Sequence, residues 1–493
     1  MAKSYESLMG AVGRSVFYRP ERQRVRELLS RDARPRLLVD GDEYPLFDLS
    51  MNGVSFLSPN GKKSWNVGDD LDLALLLHGD EVYRGVARIA RAEKGPRGSR
   101  IGVGLCTGFL DLPDILRRDD ENRLERDLIE GPTFLSARVP DSYRQVMSDV
   151  VYFLQFYRNC LGDHESRYRS GLRGEERRDE LATRAYEAIR DSWWSIQLRA
   201  ARAAHECLLD RDVLLAAKEY TETLVTPLVM GAPFVNRSYM KPLGYPGDYQ
   251  VMEWCYNNNF EGDEVFGRVL HKFFVDHFPL SVGVRTRKDL MVEIISQEHR
   301  RVLANKNEDA NFRVVSLGCG PAKEVSEYIS RARTWPGKSE WTLIDQEEEA
   351  LSVAYQASRR QIGQWQSNAD LSLLNLSFVQ MLSEGLPFQE PGAKDLIFSV
   401  GLFDYLRESR AQVLIRAMYD LLDENGLIVI GNAVAPNEFF WAAEFLGDWT
   451  LLYRTKEEMR MLASLVPESA EVNVTTEPAG AYHFLLVRKN PNR

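Results

Sequence analysis

Two glycines one residue apart end an apolar run in Val314-Val315-Ser316-Leu317-Gly318-Cys319-Gly320-Pro321-Ala322. A helix-patterned stretch follows from Lys323 to Arg331, with Val325, Tyr328 and Ile329 on one face. Strand, tight turn and helix N-terminus, in that order, place unpaired backbone N–H groups beside a turn free of side chains, so a ligand can lie against bare backbone. A purely structural turn reads the two glycines equally well. A second apolar run, Trp341-Thr342-Leu343-Ile344-Asp345, closes on a carboxylate 25 residues after Gly320. In a doubly wound sheet an acid at that place accepts hydrogen bonds from ribose hydroxyls. The further glycine expected two residues on for a dinucleotide is missing, which disfavours a nicotinamide-dependent reductase.

Three other stretches carry chemistry. Tyr239-Met240-Lys241-Pro242-Leu243-Gly244-Tyr245-Pro246-Gly247-Asp248-Tyr249 interrupts a helical background with two prolines and two glycines, so its backbone is a specified loop. Tyr245, Tyr249, Lys241 and Asp248 sit on it as candidate acceptor-side groups; a structural knot explains the glycines and prolines, but explains the polar cluster less well. Arg285 and Arg287 precede the glycine-turn strand, with surface salt bridging as the alternative reading. Near the N-terminus, eight arginines face three acids between Arg14 and Arg36, and Asp48-Leu49-Ser50-Met51-Asn52-Gly53 follows them.

The glycine turn and Asp345 resemble the first two motifs of class I S-adenosylmethionine-dependent methyltransferases, over a region from about Asn311 to the C-terminus. That resemblance implies a cofactor site made by Gly318, Cys319, Gly320 and Asp345, with Leu382 over the adenine. Ser399, Gly401, Asp404 and Tyr405, at the end of the strand Asp395–Gly401, belong to the same crevice; core packing is the alternative for Leu382 and Phe403. More narrowly, the Lys241–Tyr249 loop, Arg285-Thr286-Arg287, Gly431-Asn432 and Asp448–Arg454 are similar to a bacterial family that includes the synthase of 3-hydroxypalmitic acid methyl ester. This implies a small-molecule acceptor, with a hydroxy fatty acid as its model, and methylation of a carboxylate. Arg285, Arg287 or Lys241 would then hold the second carboxylate oxygen. For a hydroxyl acceptor, Asp248, Tyr249 or Asp404 becomes the candidate base.

Asp48-x-Ser50-x-x-Gly53, with Arg22-x-x-x-Arg26 upstream, resembles the signature of PilZ domains and covers about Val16 to Leu112. The resemblance implies cyclic di-GMP as a regulatory ligand held by Arg22, Arg26, Asp48, Ser50 and Gly53. Arginines fork onto phosphates and stack on guanine faces. Arg14, Arg19, Arg24 and Arg31 are competing arms, and an inert interaction module is the alternative. So is a cyclic di-GMP effector whose methyltransferase fold serves as a protein-interaction platform.

These sites need elements to position them. The chain has 493 residues, too many for one ordinary core. Short strands separated by turns predict a small β-barrel with a basic arm over residues 1–112, including a hairpin turning at Asp40-Gly41. Helical periodicity predicts a helical linker and lid domain over 113–305, with Asp141 or Ser142 capping a helix that carries Val146, Val150, Phe153, Leu154, Tyr157 and Leu161. Alternating strands and helices predict an α/β doubly wound, Rossmann-like domain over 306–493, with strands at Leu376–Gln380, Asp395–Gly401 and Leu427–Asn432. The net charge of −10 argues against bulk DNA or RNA binding. No apolar run reaches the roughly 20 residues of a membrane span, and Met1–Glu6 lacks a signal-peptide core, so a cytoplasmic location is expected. Five scattered cysteines disfavour a disulfide framework or a zinc site. Neither the acceptor, the direction of regulation nor the oligomeric state is legible in the sequence.

Overall fold

The computed structural model describes residues 23–490 apart from 31–32, 34, 60–64, 96–97, 131–136, 168–173, 307–309, 333–336, 377–393 and 436–439. The chain forms two compact units, Arg14–Arg138 and Val139–Arg493.

The first unit is an antiparallel sheet with one long helix. Its strands are β1 (Gln23–Arg24), β2 (Arg36–Val39), β3 (Asp42–Tyr44), β4 (Leu46–Ser50), β5 (Gly53–Ser58), β6 (Asp70–Leu77), β7 (Asp80–Gly95) and β8 (Gly98–Leu105). They pair in the order β1-β4-β5-β8-β7-β6-β2-β3. Asp40 and Gly41 both take positive φ, as the two-residue turn between β2 and β3 requires. Tyr44 of the last strand meets Phe56 of the third at 5.1 Å, so the sheet wraps around its core. No ladder joins β1 to β3 among the described residues, and the barrel expected from the sequence stands as a wrapped open sheet. Helix α2 (Leu112–Glu130), which follows the short α1 (Val25–Leu28), buries Leu112 and Ile115 in this core. The unit therefore runs to Arg138 and does not stop at 112.

The second unit merges the expected helical and α/β regions into one body. Helices α3 (Asp141–Ser166), α4 (Gly174–Cys207), α5 (Arg211–Leu224), α6 (Thr226–Val229), α7 (Pro233–Met240), α8 (Tyr249–Asn257), α9 (Val265–Asp276) and α10 (Pro279–Asn305) come first. Helix α3 buries Tyr143, Met147, Val150, Phe153, Leu154 and Leu161, but its cap position falls on Pro140 without a side-chain cap, so neither Asp141 nor Ser142 caps it. Trp193 of α4 stacks on Phe273 of α9 at 5.5 Å. A β-carbon on Gly267 of α9 would lie 2.3 Å from the carbonyl oxygen of Gly231, just before α7. Backbone cannot yield cheaply there. Gly267→Ala is expected to destabilise this unit by about 1–3 kcal/mol, read as a lower urea midpoint.

The sheet of this unit comprises β9 (Asn311–Leu317), β10 (Lys338–Asp345), β11 (Ala369–Asn375), β12 (Lys394–Ser399), β13 (Leu422–Ala433), β14 (Glu471–Thr476) and β15 (Tyr482–Arg488), in the order β11-β10-β9-β12-β13-β15-β14. The first five are parallel, and β15 runs antiparallel to β13 and β14. The strand expected at Leu376–Gln380 falls on residues of which 377–380 lie outside the described ones; before them, Ala369–Asn375 extends the parallel ladder with β10. Between the strands come α11 (Lys323–Arg331), α12 (Glu348–Trp365), α13 (Glu408–Asp420) and α14 (Lys456–Met461). Order reverses between β9 and β12, and their carboxyl ends form the crevice where ligands of such sheets bind. Among the described residues, no helix is long and apolar enough to cross a membrane.

Candidate functional site at the ends of β9, β10 and β12

The turn after β9 has the geometry its glycines suggest. Gly318, Gly320 and Ala322 take φ of 59°, 52° and 46°, a left-handed series that favours glycine at the first two places. Among the described residues, no atom outside the turn's own neighbours lies within 4 Å of where a β-carbon on Gly320 would be. A β-carbon on Gly318 would lie 3.2 Å from Leu402, which brings the turn beside the segment after β12. Cys319 donates its N–H to Ile344 of β10 at 3.0 Å, and burial pushes its thiol well above the usual range.

Asp345 is buried at the end of β10. One carboxylate oxygen accepts the Gly320 N–H at 2.8 Å, and the other accepts the Glu347 N–H at 3.0 Å. Burial raises its pKa, and those N–H groups partly offset the rise. Its carboxylate therefore shapes the turn. Glu347, two residues on and absent from the sequence reading, is pushed up to about 7, first by burial and then by the charge of Asp345. An unfolded Glu loses its proton near 4.3, so the folded state holds more protons between about 4.3 and 7 and loses stability as pH rises through that window. Glu347→Gln removes this penalty. Its thermal midpoint should exceed that of the parent chain at pH 8, with the gap closing toward pH 5.

The segment after β12 is fixed from several sides. Asp404, in the short 3-10 turn Phe403–Tyr405, accepts the Ala433 N–H at 2.7 Å, and burial pushes it up to about 6. Arg454 donates to the Phe403 carbonyl at 2.8 Å, to that of Leu406 and to Asn432. The Gly431-Asn432 and Asp448–Arg454 motifs thus brace the crevice wall. Ser399 ends β12 with its hydroxyl buried and, among the described residues, unpartnered. A β-carbon on Gly401 would lie 3.6 Å from an Arg287 nitrogen.

The Lys241–Tyr249 loop meets this wall, but its charges are committed within the protein. Asp248 caps α8 through the Gln250 and Val251 N–H groups at 3.0 and 3.1 Å. Both its oxygens also accept from Arg237 Nε, at 2.8 and 2.6 Å. Lys241, fully buried, is paired with Asp448. A β-carbon on Gly247 would lie 2.5 Å from Trp449, whose indole N–H donates to the Tyr405 hydroxyl at 2.9 Å. Tyr249 lies under Arg237, with 5.8 Å from guanidinium carbon to ring centre, and Tyr245 is half-buried. Asp248 as base and Lys241 as oxygen holder do not fit these engagements, because each charge already has a geometrically complete partner. Arg285 is likewise spent on the carbonyls of Cys255, Val275 and Asp276.

Arg287 is different. It is 5% exposed, lies 4.4 Å above the Tyr482 ring and points an Nη toward Met252 sulfur at 3.6 Å. Among the described residues its Nε has no acceptor. Glu324, the second residue of α11, is 2% exposed, its Oε1 is unpartnered among the described residues, and the sequence reading missed it. Leu382 lies outside the described residues.

In the first unit, Asp48 is buried and paired with Arg100 of β8, which also stacks on Phe47 at 4.2 Å. The Ser50 hydroxyl donates to the Gly53 carbonyl at 3.1 Å across the β4–β5 turn. Strand β1 pairs Arg24 with Asp48, which sets the start of the basic arm along the motif. Arg22 lies outside the described residues, and the backbone of Arg26 is in α1. Arg100 carried no motif signal, being 52 residues from its partner.

No family model and no curated protein matches the chain. Among solved structures it is similar to a possible exported protein from Bordetella parapertussis, at 15% identity over 62% of this chain and 97% of that one, TM-score 0.38. It is also similar to magnesium protoporphyrin IX methyltransferase from Synechocystis PCC 6803 with bound SAH, at 10% identity over 43% and 87%, TM-score 0.31. A third is the N-methyltransferase NodS from Bradyrhizobium japonicum WM9 in complex with S-adenosyl-L-homocysteine, at 18% identity over 41% and 87%, TM-score 0.27.

Proposed function

We propose that the chain transfers the methyl group of S-adenosylmethionine to a carboxylate of a small or fatty-acid-like acceptor, under control of cyclic di-GMP at the first unit. The observation that carries the donor assignment is the Gly318–Ala322 turn, whose Gly320 backbone is clear of side chains among the described residues at the carboxyl ends of the central strands. The acceptor oxygen attacks the methyl carbon while the C–S electron pair leaves to sulfur, so a carboxylate needs no base. That suits a site in which Asp248 is consumed by Arg237 and by its helix. The protein's part is to align the two reactants and exclude water.

The resemblance to 3-hydroxypalmitic acid methyl ester synthases makes hydroxy fatty acids the first acceptors to try. Purified protein, S-adenosylmethionine and a panel of carboxylic acids should release S-adenosylhomocysteine. Methylation of amines or hydroxyls but of no acid would overturn the carboxylate reading, and failure to bind the donor would overturn the whole. For regulation, Asp48, Ser50 and Gly53 at the β4–β5 turn supply the nucleotide side, and Arg100 adds a cation beside them. Equal turnover with and without saturating cyclic di-GMP would remove that part alone.

A further inference from the structure

Two buried groups of opposite charge flank the glycine turn without bonding to each other. Arg287 descends from α10 onto the end of β12, within 3.6 Å of where a Gly401 β-carbon would sit. Glu324 opens α11 directly after β9, and β9 pairs with β12. Among the described residues no carboxylate lies within 4.0 Å of Arg287, and neither its Nε nor Glu324 Oε1 has a hydrogen-bond partner. A buried pair meant only to hold the fold together would close on itself, since a buried charge left uncompensated is strongly unfavourable. A simple anion would satisfy only the arginine. A simple cation would satisfy only the glutamate. An α-amino acid, with carboxylate and ammonium on one carbon, satisfies both.

We infer that Arg287 and Glu324 hold the α-carboxylate and α-ammonium of the methionyl end of S-adenosylmethionine. This rests on the donor assignment above. Arg287 and Glu324 are then positioning residues for the methyl group. The helix dipole favours a carboxylate at the start of α11, but it does not account for a buried oxygen without a donor.

The arrangement makes donor binding proton-linked. Burial pushes Glu324 up to about 7; its own backbone N–H, then Arg287 and Lys288 of α10, pull it down, and Glu327 on its own helix pushes it up. Tyr256 of α8 and Cys319 of the turn also feel its charge, and Glu253 of α8 faces Tyr256. An ammonium needs the ionised form, so affinity should be flat above about pH 7 and fall toward tenfold per unit below it.

Calorimetric titration of the full chain with S-adenosylhomocysteine and with 5′-methylthioadenosine, which lacks the amino-acid carbons, tests this. The parent chain should prefer S-adenosylhomocysteine by about 100-fold, and Arg287→Met should cut that preference about tenfold or more, as loss of a charged hydrogen bond does, leaving 5′-methylthioadenosine affinity unchanged. Glu324→Gln should reduce the preference and abolish the pH slope. Arg287→Lys, which keeps the charge, should retain part of the preference, and retained 5′-methylthioadenosine binding certifies each variant as folded. An unchanged preference in both Arg287→Met and Glu324→Gln overturns this inference alone. If neither compound binds the parent chain, the donor assignment falls first.

Discussion

Asp345→Ala should lower affinity for S-adenosylhomocysteine by at least about 100-fold, because the turn against which the donor would lie loses its anchor. The carboxylate takes the N–H of Gly320 on one oxygen and that of Glu347 on the other. Hydrogen bonds to a charged group contribute about 1.5–3 kcal/mol each, so alanine releases about 3–6 kcal/mol of local restraint from a turn already holding positive φ. Global stability should change much less, because removing the group also removes the cost of burying it, the same cost that raises its pKa. Asp345→Asn, which keeps one acceptor, should fall between. Titration calorimetry beside urea unfolding reads both quantities. Affinity within about threefold of the parent chain would show that the turn stands without Asp345.

Local pattern made the turn, the second-strand acid and most strands legible, because each is written in contiguous residues. Charge commitment was not. Lys241 and Asp248 read as a polar cluster on a loop, but their partners lie 207 and 11 residues away, Asp448 and Arg237. Arg285 and Arg287 were separable in principle. Two positions apart on a helix, they point to different faces, and Arg287 falls on the buried stripe with Leu280, Val284, Met291 and Ile294. Glu324 likewise precedes the buried Tyr328 by four. A charged residue on an apolar stripe was the available signal, and it singles out both members of the inferred clamp. The Asp48–Gly53 motif was legible in contiguous residues, but its ion pair with Arg100 depends on cross-strand neighbours that the motif does not encode.

Asp448→Asn should cost the second unit about 3–5 kcal/mol, since it leaves the Lys241 ammonium buried without its counter-ion. Lys241 has no exposed surface, and Asp448 is nearly as enclosed. Burial raises the Asp448 pKa while Lys241 pulls it back, so the pair is desolvated on both sides. Asparagine tolerates the left-handed backbone at this position, φ 45°, which keeps the test free of conformational strain. Urea unfolding should show the loss in the midpoint with little change in slope. The double variant Lys241→Met with Asp448→Asn removes both charges, and should be more stable than Asp448→Asn alone, because an apolar side chain replaces an orphaned ammonium. The pair also joins the loop to the segment bearing Trp449, against which Gly247 packs. In the double variant, turnover should therefore fall further than stability does, as the loop loses its register over Tyr405. A loss under about 1 kcal/mol for Asp448→Asn would mean that water reaches the pair, and that the loop is held by Gly247, Trp449 and the Asp248 cap instead.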